Sequence, residues 1–544
     1  MRPAGRNVHL AGESVGDVTG MPRKVLLAAF LVVVLAAVWS LSLPADAQEP
    51  QPAGGQEVSP RRLVRIVYRD RAELADLDRQ GADIWEVHPG YAIAAMPGAL
   101  IATARLAGAS LEDLGPVQPL NTFDPAYHTY SEMVTELQAV AAAHPDLVRL
   151  YDIGDGWEKT KGRADRDLWA VKVTANPDQA GGRPAVLFVS NHHAREIATT
   201  EVALQLLNLL VTAYGQDAEI TYLLDTRAAW IVPMANPDGH ARAEAGLDWR
   251  KNADDDNDAC SGYSPPFSFG IDLNRNFSYH WGEAGTHPCD ITYQGPLAFS
   301  EPENQALRQL MTTTAFSLVL SYHSYGDYVL YPWGYTTTVP PDAGLFAAIS
   351  GKMASYNGYR PGQSSRTLYT LTGDLCDWAY GAQNIPCLVV EMGERFDPPQ
   401  SALPGLWDEN RPGALYLLKL AGDLNRAYGP EATGVSVTAW PGGLTLTATL
   451  SDTATGGQIV TAAEYFVDVL GSKGGGTPML PADGAWDASQ EMAVAVLPPL
   501  PPGRHTLLVQ GRYAAGNWGT VAASFWTVPW HSYLPVMLKL KGAP

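Results

Sequence analysis

Between about residues 122 and 428 the chain alternates short, wholly apolar runs with amphipathic stretches, and few folds accommodate that pattern. Val186–Ser190, Trp230–Met234, Phe316–Ser321 and Leu388–Val390 have the composition of strands buried on both faces. Glu201–Tyr214 has helical spacing and stops at Gly215. Ser300-Glu301-Pro302-Glu303 reads as a capping box opening a further helix. The expectation is an α/β fold with a mixed, mainly parallel sheet flanked by helices on both faces. Such sheets bind ligands beyond the carboxyl ends of their strands. The polar clusters of this chain follow those ends.

The rest of the chain divides around this region. Its 544 residues allow about three or four domains. An apolar content of 46% against 17% charged residues excludes global disorder. A formal net charge of −20 argues against nucleic acid as a partner. Residues 1–47 read as a secretory signal: Arg23 and Lys24, the apolar run Val25–Leu43, then Ala45-Asp46-Ala47. The expectation is a secreted, extracellular protein. The run is also long enough to act as an uncleaved membrane anchor, which is the competing reading. The even number of Cys, four, suits an oxidising compartment. Residues 48–60 read as a Pro/Gly linker and 61–120 as a small α+β unit. Residues 431–528, with short β-type runs broken by Gly and Pro, read as a β-sandwich module. The tail 529–544 has no assignment.

The segment Ser190-Asn191-His192-His193-Ala194-Arg195-Glu196 directly follows a buried-strand pattern. An imidazole and a carboxylate three residues apart meet one ion if the chain turns between them. His193 and Glu196 have that spacing, and His192 with Glu196 is a second option. A lone H-x-x-E arises often by chance, and its ordinary reading is a polar loop. A third ligand has to come from elsewhere. His323, at the end of the run Phe316–Ser321, is available if its strand neighbours the one leading to His193. Otherwise it is a core histidine with satisfied hydrogen bonds. Two His and one Glu would leave a fourth position open for water, as in catalytic zinc sites.

Further motifs follow in order: Asn236-Pro237-Asp238-Gly239, Trp249-Arg250-Lys251, Asp272-Leu273-Asn274-Arg275-Asn276, Tyr293-Gln294-Gly295, Ser300–Glu303, Ser321-Tyr322-His323-Ser324-Tyr325, Tyr369, Asp377-Trp378 and Glu391. In this order the sequence resembles the zinc carboxypeptidases of the carboxypeptidase A type, over the stretch from near Tyr127 to near Tyr428. The resemblance implies that His193, Glu196 and His323 bind one Zn2+, the ligand set established for carboxypeptidase A. It implies that Glu391 is the general base and that Arg250 polarises the scissile carbonyl. Asn274 and Arg275 would hold the substrate's terminal carboxylate, Tyr369 would close over it, and Arg195 would share the basic cleft. For Asp272 and Asn276 the expectation is packing around the arginine.

Cys376 falls where the animal enzymes choose between apolar and basic terminal side chains, and it is uncharged. Asp374, two residues earlier, would meet a Lys or Arg. The expected preference is therefore apolar or aromatic termini together with basic ones. The resemblance also places a disulfide half at Cys289, and a Cys260–Cys289 bridge would hold Asn274 and Arg275 in place; Cys376 with Cys387 is a candidate second bridge. Residues 61–120 would be a pro-segment, inhibitory or aiding folding, although shorter than the animal type.

The loop Asp254-Asp255-Asp256-Asn257-Asp258 offers oxygen ligands that suit Ca2+, but its spacing lacks the EF-hand glycine and Glu. A solvated acidic loop is the favoured reading. The expected partners are peptide or protein C-termini, with no nucleic acid, and a monomeric enzyme is expected. The C-terminal module is a candidate for binding a surface or polysaccharide. Two rivals stand beside this reading. One is a murein stem-peptide peptidase on the same metal centre. The other is a non-catalytic binding protein, which the intact set of His193, Glu196, His323 and Glu391 disfavours.

Overall fold

The computed structural model describes residues 61–117, 123–256, 260, 269–441, 443–454 and 456–530. The expected leader 1–47, the linker 48–60 and most of the tail 529–544 lie outside the described residues. Strands β1 (Arg62–Val67), β2 (Asp83–His88), β3 (Tyr91–Met96) and β4 (Ser110–Pro116) form an antiparallel sheet in the order β2-β3-β1-β4. Helices Arg71–Arg79 and Gly98–Leu106 connect them, which gives a ferredoxin-like β-α-β-β-α-β unit. Asp70 opens the first helix by accepting the N–H groups of Ala72 and Glu73. β4 has no counterpart in the sequence reading, because an exposed edge strand with few apolar residues leaves little pattern to read.

Eight strands build the central sheet: β5 (Val148–Asp155), β6 (Asp167–Val173), β7 (Ala185–Val189), β8 (Ala228–Val232), β9 (Phe316–His323), β10 (Tyr328–Tyr331), β11 (Arg360–Gln363) and β12 (Cys387–Glu391). Their order is β11-β10-β12-β9-β7-β8-β6-β5. β12, β9, β7 and β8 are mutually parallel, while β6 joins β8, and β10 joins β12, in antiparallel fashion. The four apolar runs seen in the sequence all lie in this parallel centre. β7 is buried at every position. Val186 and Phe188 join a core shared with helices Ala198–Ala213 and Leu403–Leu420, whereas Leu187 and Val189 join the core on the other face. Burial on both faces explains why such strands are uniformly apolar.

The expected capping box at Ser300–Glu303 does not form. Glu301 is the N-cap of helix Pro302–Thr313 and makes no side-chain cap bond. Asn252 draws both carboxylates inward, donating to Glu301 Oε2 at 2.6 Å and to Glu303 Oε2 at 3.3 Å. Glu303 also accepts the Trp157 N–H at 2.9 Å.

The C-terminal strands are β13 (Glu431–Trp440), β14 (Gly443–Ser451), β15 (Val460–Val467), β16 (Thr477–Pro481), β17 (Gln490–Leu497), β18 (Gly503–Tyr513) and β19 (Ala522–Val528). The expected two-layer sandwich takes the form of one antiparallel sheet, ordered β13-β14-β17-β16-β15-β18-β19 and nearly closed on itself. β16 pairs with both β15 and β17, so it carries the sheet round a corner where a sandwich would split. Leu446, Leu450, Tyr465 and Leu507 fill the enclosed core. Arg426 joins this module to the central region, donating to Gln510 Oε1 and to the Gly519 carbonyl. Among the described residues no helix is long and apolar enough to cross a membrane.

Candidate metal centre and cleft

The turn after β7 is shaped by Asn191, whose backbone adopts φ +56°. Its side-chain amide donates to the carbonyls of His193, Ala194 and Glu196 at 3.2–3.3 Å. The Glu196 N–H bonds back to the His193 carbonyl, so the two side chains project together. Asn236 braces this turn from the neighbouring strand end, donating to the His192 and Lys251 carbonyls at 3.0 Å. Gly239 completes the Asn-Pro-Asp-Gly motif for a packing reason: a Cβ there would lie 2.4 Å from the Lys251 carbonyl.

β9 is the direct neighbour of β7, and it delivers His323 to the same corner. The His323 Nδ1 lies 3.1 Å from His193 Nδ1 and 3.0 Å from Glu196 Oε2, while His193 Nδ1 is 2.6 Å from Glu196 Oε1. One ligand atom from each residue falls within 4.8 Å of the others, all three being buried. The remaining imidazole nitrogens face other groups. His193 Nε2 is 3.3 Å from Asp272 Oδ1, and His323 Nε2 is 3.0 Å from Ser321 Oγ. Each Nδ1 is therefore left for an ion, an arrangement typical of metal-ligating histidines. Burial alone would raise the Glu196 carboxyl, but His193 and His323 outweigh it and hold it well below its usual range.

His192, the second option in the sequence, is not part of the cluster. Its ring stacks on His323 at 5.6 Å, and burial lowers its pKa well below the usual value. Asp272 does pack around an arginine as expected, holding Arg250 through Nε and Nη2 at 3.0 and 2.9 Å. Its approach to His193 has no signal in the sequence. Burial would raise Asp272, yet Arg250, His193 and Arg275 together pull it well below the carboxylate range. Asn276 is fully buried. It ties its loop together by donating to the Gln294 and Leu297 carbonyls.

One cleft contains the metal trio together with Arg250, Asn274, Arg275, Tyr369, Asp374 and Glu391. Arg275 Nη1 donates to the Asn274 carbonyl at 2.9 Å, and its Nε has no hydrogen-bond partner. Asn274 positions its neighbours through Oδ1, which accepts the Leu375 N–H at 2.9 Å. Gly373, at φ +73°, lets this loop pass the Arg275 carbonyl, where a Cβ would come within 2.3 Å. Burial and the nearby Glu196 charge push Glu391 well above the usual carboxylate range, while Arg250 and Arg275 pull the other way.

One expectation is corrected here. Cys376 does not line the cleft: it is 3% exposed, lies in the apolar core and is bridged to Cys387. The helix that begins at Leu375 turns it inward, and the wall is formed instead by Leu330, Ser364, Leu368, Leu371 and Val389. Arg195 lines the same cleft, where Asp83 of β2 binds it through both Nη atoms at 2.8 Å and Asp248 adds a contact at 3.2 Å. Tyr369 also lines the cleft, its hydroxyl donating to Asp78 Oδ1 at 3.2 Å. The other expected bridge, Cys260–Cys289, is also present. In the acidic loop, Asp255 and Asp256 pair with Arg163 and Lys161, and Asn257 and Asp258 lie outside the described residues.

Two histidines and a glutamate raised from the strand ends of an open α/β sheet form a group able to hold one metal ion on a doubly covered fold. Comparison with known proteins makes that class narrower. The family model described as zinc carboxypeptidase matches residues 133–413, more than half of the chain, and the chain belongs to that family. The zinc carboxypeptidase of Saccharothrix mutabilis subsp. capreolus is 32% identical over 298 residues, covering 52% of this chain and 64% of that protein. Carboxypeptidase A1 of Bos taurus is 31% identical over 271 residues, 48% of this chain and 61% of that protein. The chain thus spans less than two thirds of the length of either relative. The crystal structure of the carboxypeptidase A from Helicoverpa armigera shares the fold, with a TM-score of 0.56 at 22% identity, covering 66% of this chain and 96% of that one.

Proposed function

We propose that the chain is a secreted zinc metallocarboxypeptidase that hydrolyses the C-terminal peptide bond of peptides and proteins. The observation that carries this reading is a single cleft holding the His193–Glu196–His323 cluster together with Arg275. His193, Glu196 and His323 would hold the zinc. Bound there, it would supply Lewis acidity and a water of lowered pKa. Glu391 takes the proton of the attacking water and returns it to the departing amine. Arg250, fixed by Asp272, faces the oxygen on which negative charge develops. Arg275 matches a terminal carboxylate with two parallel hydrogen bonds, which favours free C-termini over internal peptide bonds. The aliphatic wall with Asp374 at its end supports apolar, aromatic and basic terminal residues.

The ferredoxin-like unit acts as a pro-segment in this reading. Ile84, Trp85 and Val87 of β2 line the same cleft. Asp83 is bonded to Arg195 and Asp78 to Tyr369, so two groups expected to meet substrate are already engaged. Two disulfides and the charged, then apolar, N-terminus support secretion.

The test is peptidase assay with and without a zinc chelator, before and after limited proteolysis, with mass spectrometry of the products. Peptides ending in Phe, Leu, Lys, Arg and Glu are compared with muropeptides. Single residues released from simple peptides, abolished by chelation, are expected. A marked preference for terminal Glu, or cleavage of muropeptides alone, would overturn the assignment of substrate.

A further inference from the structure

The turn that carries His193 and Glu196 is held at two points by one helix, Pro237–Glu244. Asn236, the N-cap of that helix, donates to the His192 carbonyl at 3.0 Å. One helical turn further along the same face, His240 Nδ1 lies 3.1 Å from Asn191 Oδ1. Asn191 and His240 are both fully buried. The Asn191 amide has one usable orientation. Its Nδ2 serves the carbonyls of His193, Ala194 and Glu196, and a flipped amide would set an oxygen against all three. Its Oδ1 therefore needs a donor, because a buried acceptor left without one is costly. His240 Nε2 faces a second acceptor, the His128 carbonyl, at 3.0 Å. Burial pushes the pKa of the ring down to about 4, so near neutral pH it has a single N–H to place. The contact with Asn191 is wholly buried, whereas that with His128 is only partly so and leaves the carbonyl within reach of water. The proton belongs on Nδ1.

We propose that His240 is a positioning residue for the zinc site: by donating its Nδ1–H to Asn191 Oδ1 it locks the amide that gathers the carbonyls between His193 and Glu196, and so fixes those two side chains relative to each other. The proposal rests on the zinc carboxypeptidase reading and adds to it a residue outside the cleft, which acts through Asn191 and touches neither ion nor substrate. With the donor removed, the amide is free to turn and the three carbonyls lose their common partner. Ordering the turn then consumes part of the binding free energy of the ion. The Phe123 ring stands edge-on to His240 at 5.9 Å, so the imidazole also fills space, and the test has to separate the two roles.

The experiment compares His240→Phe and His240→Asn in the full-length chain, measuring zinc affinity by competition with a chromogenic chelator in the absence of substrate. Phe keeps a ring and loses the donor. Asn is smaller but places an amide nitrogen where Nδ1 stood. His240→Phe is expected to bind zinc about tenfold more weakly, and His240→Asn to stay within about threefold of the wild type, taking the low end of the usual loss when a group supporting the ligands is removed. A space-filling role gives the reverse order, with Phe the nearer to wild type. Wild-type affinity in His240→Phe, or a His240→Asn variant no better than His240→Phe, overturns the proposal. A second measurement decides the matter even where His240→Phe does not fold. Nitrogen-15 spectra of histidine-labelled protein, with His240 assigned by its loss in His240→Asn, report which ring nitrogen carries the proton. A proton on Nδ1 is expected, and a neutral ring protonated on Nε2 overturns the proposal. If the wild-type chain binds no zinc, the metal reading itself fails, and the bond from His240 to Asn191 is judged on the nitrogen-15 spectra alone.

Discussion

Glu391 lies directly opposite His323 on the adjacent parallel strand, with β12 pairing to β9 in the register Cys387↔Val319 through Glu391↔His323. A metal ligand and the proposed base are thus set by one strand register. In a sheet buried on both faces a slip would move every side chain to the wrong face. The base is held by the backbone ladder and needs no loop to close over it.

Replacing the base while leaving the ladder intact should separate chemistry from metal binding. Glu391→Gln is expected to lower kcat by about 10²–10⁴-fold, the usual contribution of a positioned acid–base group. Zinc content, by elemental analysis, and Tm should stay near those of the wild type. Loss of zinc in this variant would mean that Glu391 supports the metal cluster instead.

Asp272 bridges the metal cluster and the proposed oxyanion partner, touching His193 on one side and Arg250 on the other. Asp272→Asn should weaken zinc binding about 10–100-fold, the typical effect of removing a carboxylate behind a ligating histidine. It should also reduce kcat/KM at saturating zinc, because Arg250 loses its orienting partner. Competition with a chromogenic chelator measures the first effect and steady-state assay at excess zinc the second. An unchanged zinc affinity would assign Asp272 to Arg250 alone.

Much of the central fold was legible because β7, β8, β9 and β12 are buried on both faces, and burial on both faces writes an unbroken apolar run. The metal trio was legible only as candidates. His193 and Glu196 share a local turn, but whether β9 adjoins β7 is a fact of topology that no local pattern carries. The exclusion of His192 depends on ring orientation within that turn. The specificity wall was misplaced at Cys376 because one residue of helical phase decides between core and cleft. β4 and the wrapped form of the C-terminal sheet were missed for a shared reason: pairing at edges and corners is set by partners far away in sequence.

Docking of the ferredoxin-like unit should depend on pH through Asp78. Burial raises its carboxyl from 3.8 to about 6, with Arg275 and Arg250 opposing. A raised folded-state value means that the protonated form is favoured in the fold. The contribution is fully present below about pH 3.8 and is lost as pH rises through about 6. Asp78→Asn mimics the protonated form and lacks that loss. The variant should therefore match the wild type near pH 4 and become more stable by roughly 1–3 kcal/mol by pH 7.5, from the size of the shift. Thermal melts across this range, with hydrogen exchange of β2, would measure it. A difference that shrinks as pH rises would show the sign to be wrong.

The Cys376–Cys387 bridge ties the helix bearing Asp374 to the strand bearing Glu391, across a separation of 11 residues. Closing so short a loop contributes roughly 2–3 kcal/mol in the chain-entropy model. The double variant Cys376→Ala/Cys387→Ala should lose about that much stability in denaturant titration, with some of the loss from emptied core volume. Because Asp374 and Glu391 lie on opposite ends of the tether, the terminal-residue preference should blur as stability falls. The ratio of kcat/KM for peptides ending in Lys and in Leu is expected to move toward unity. A variant that keeps the wild-type ratio while losing stability would show that the bridge stabilises the fold without tuning the pocket.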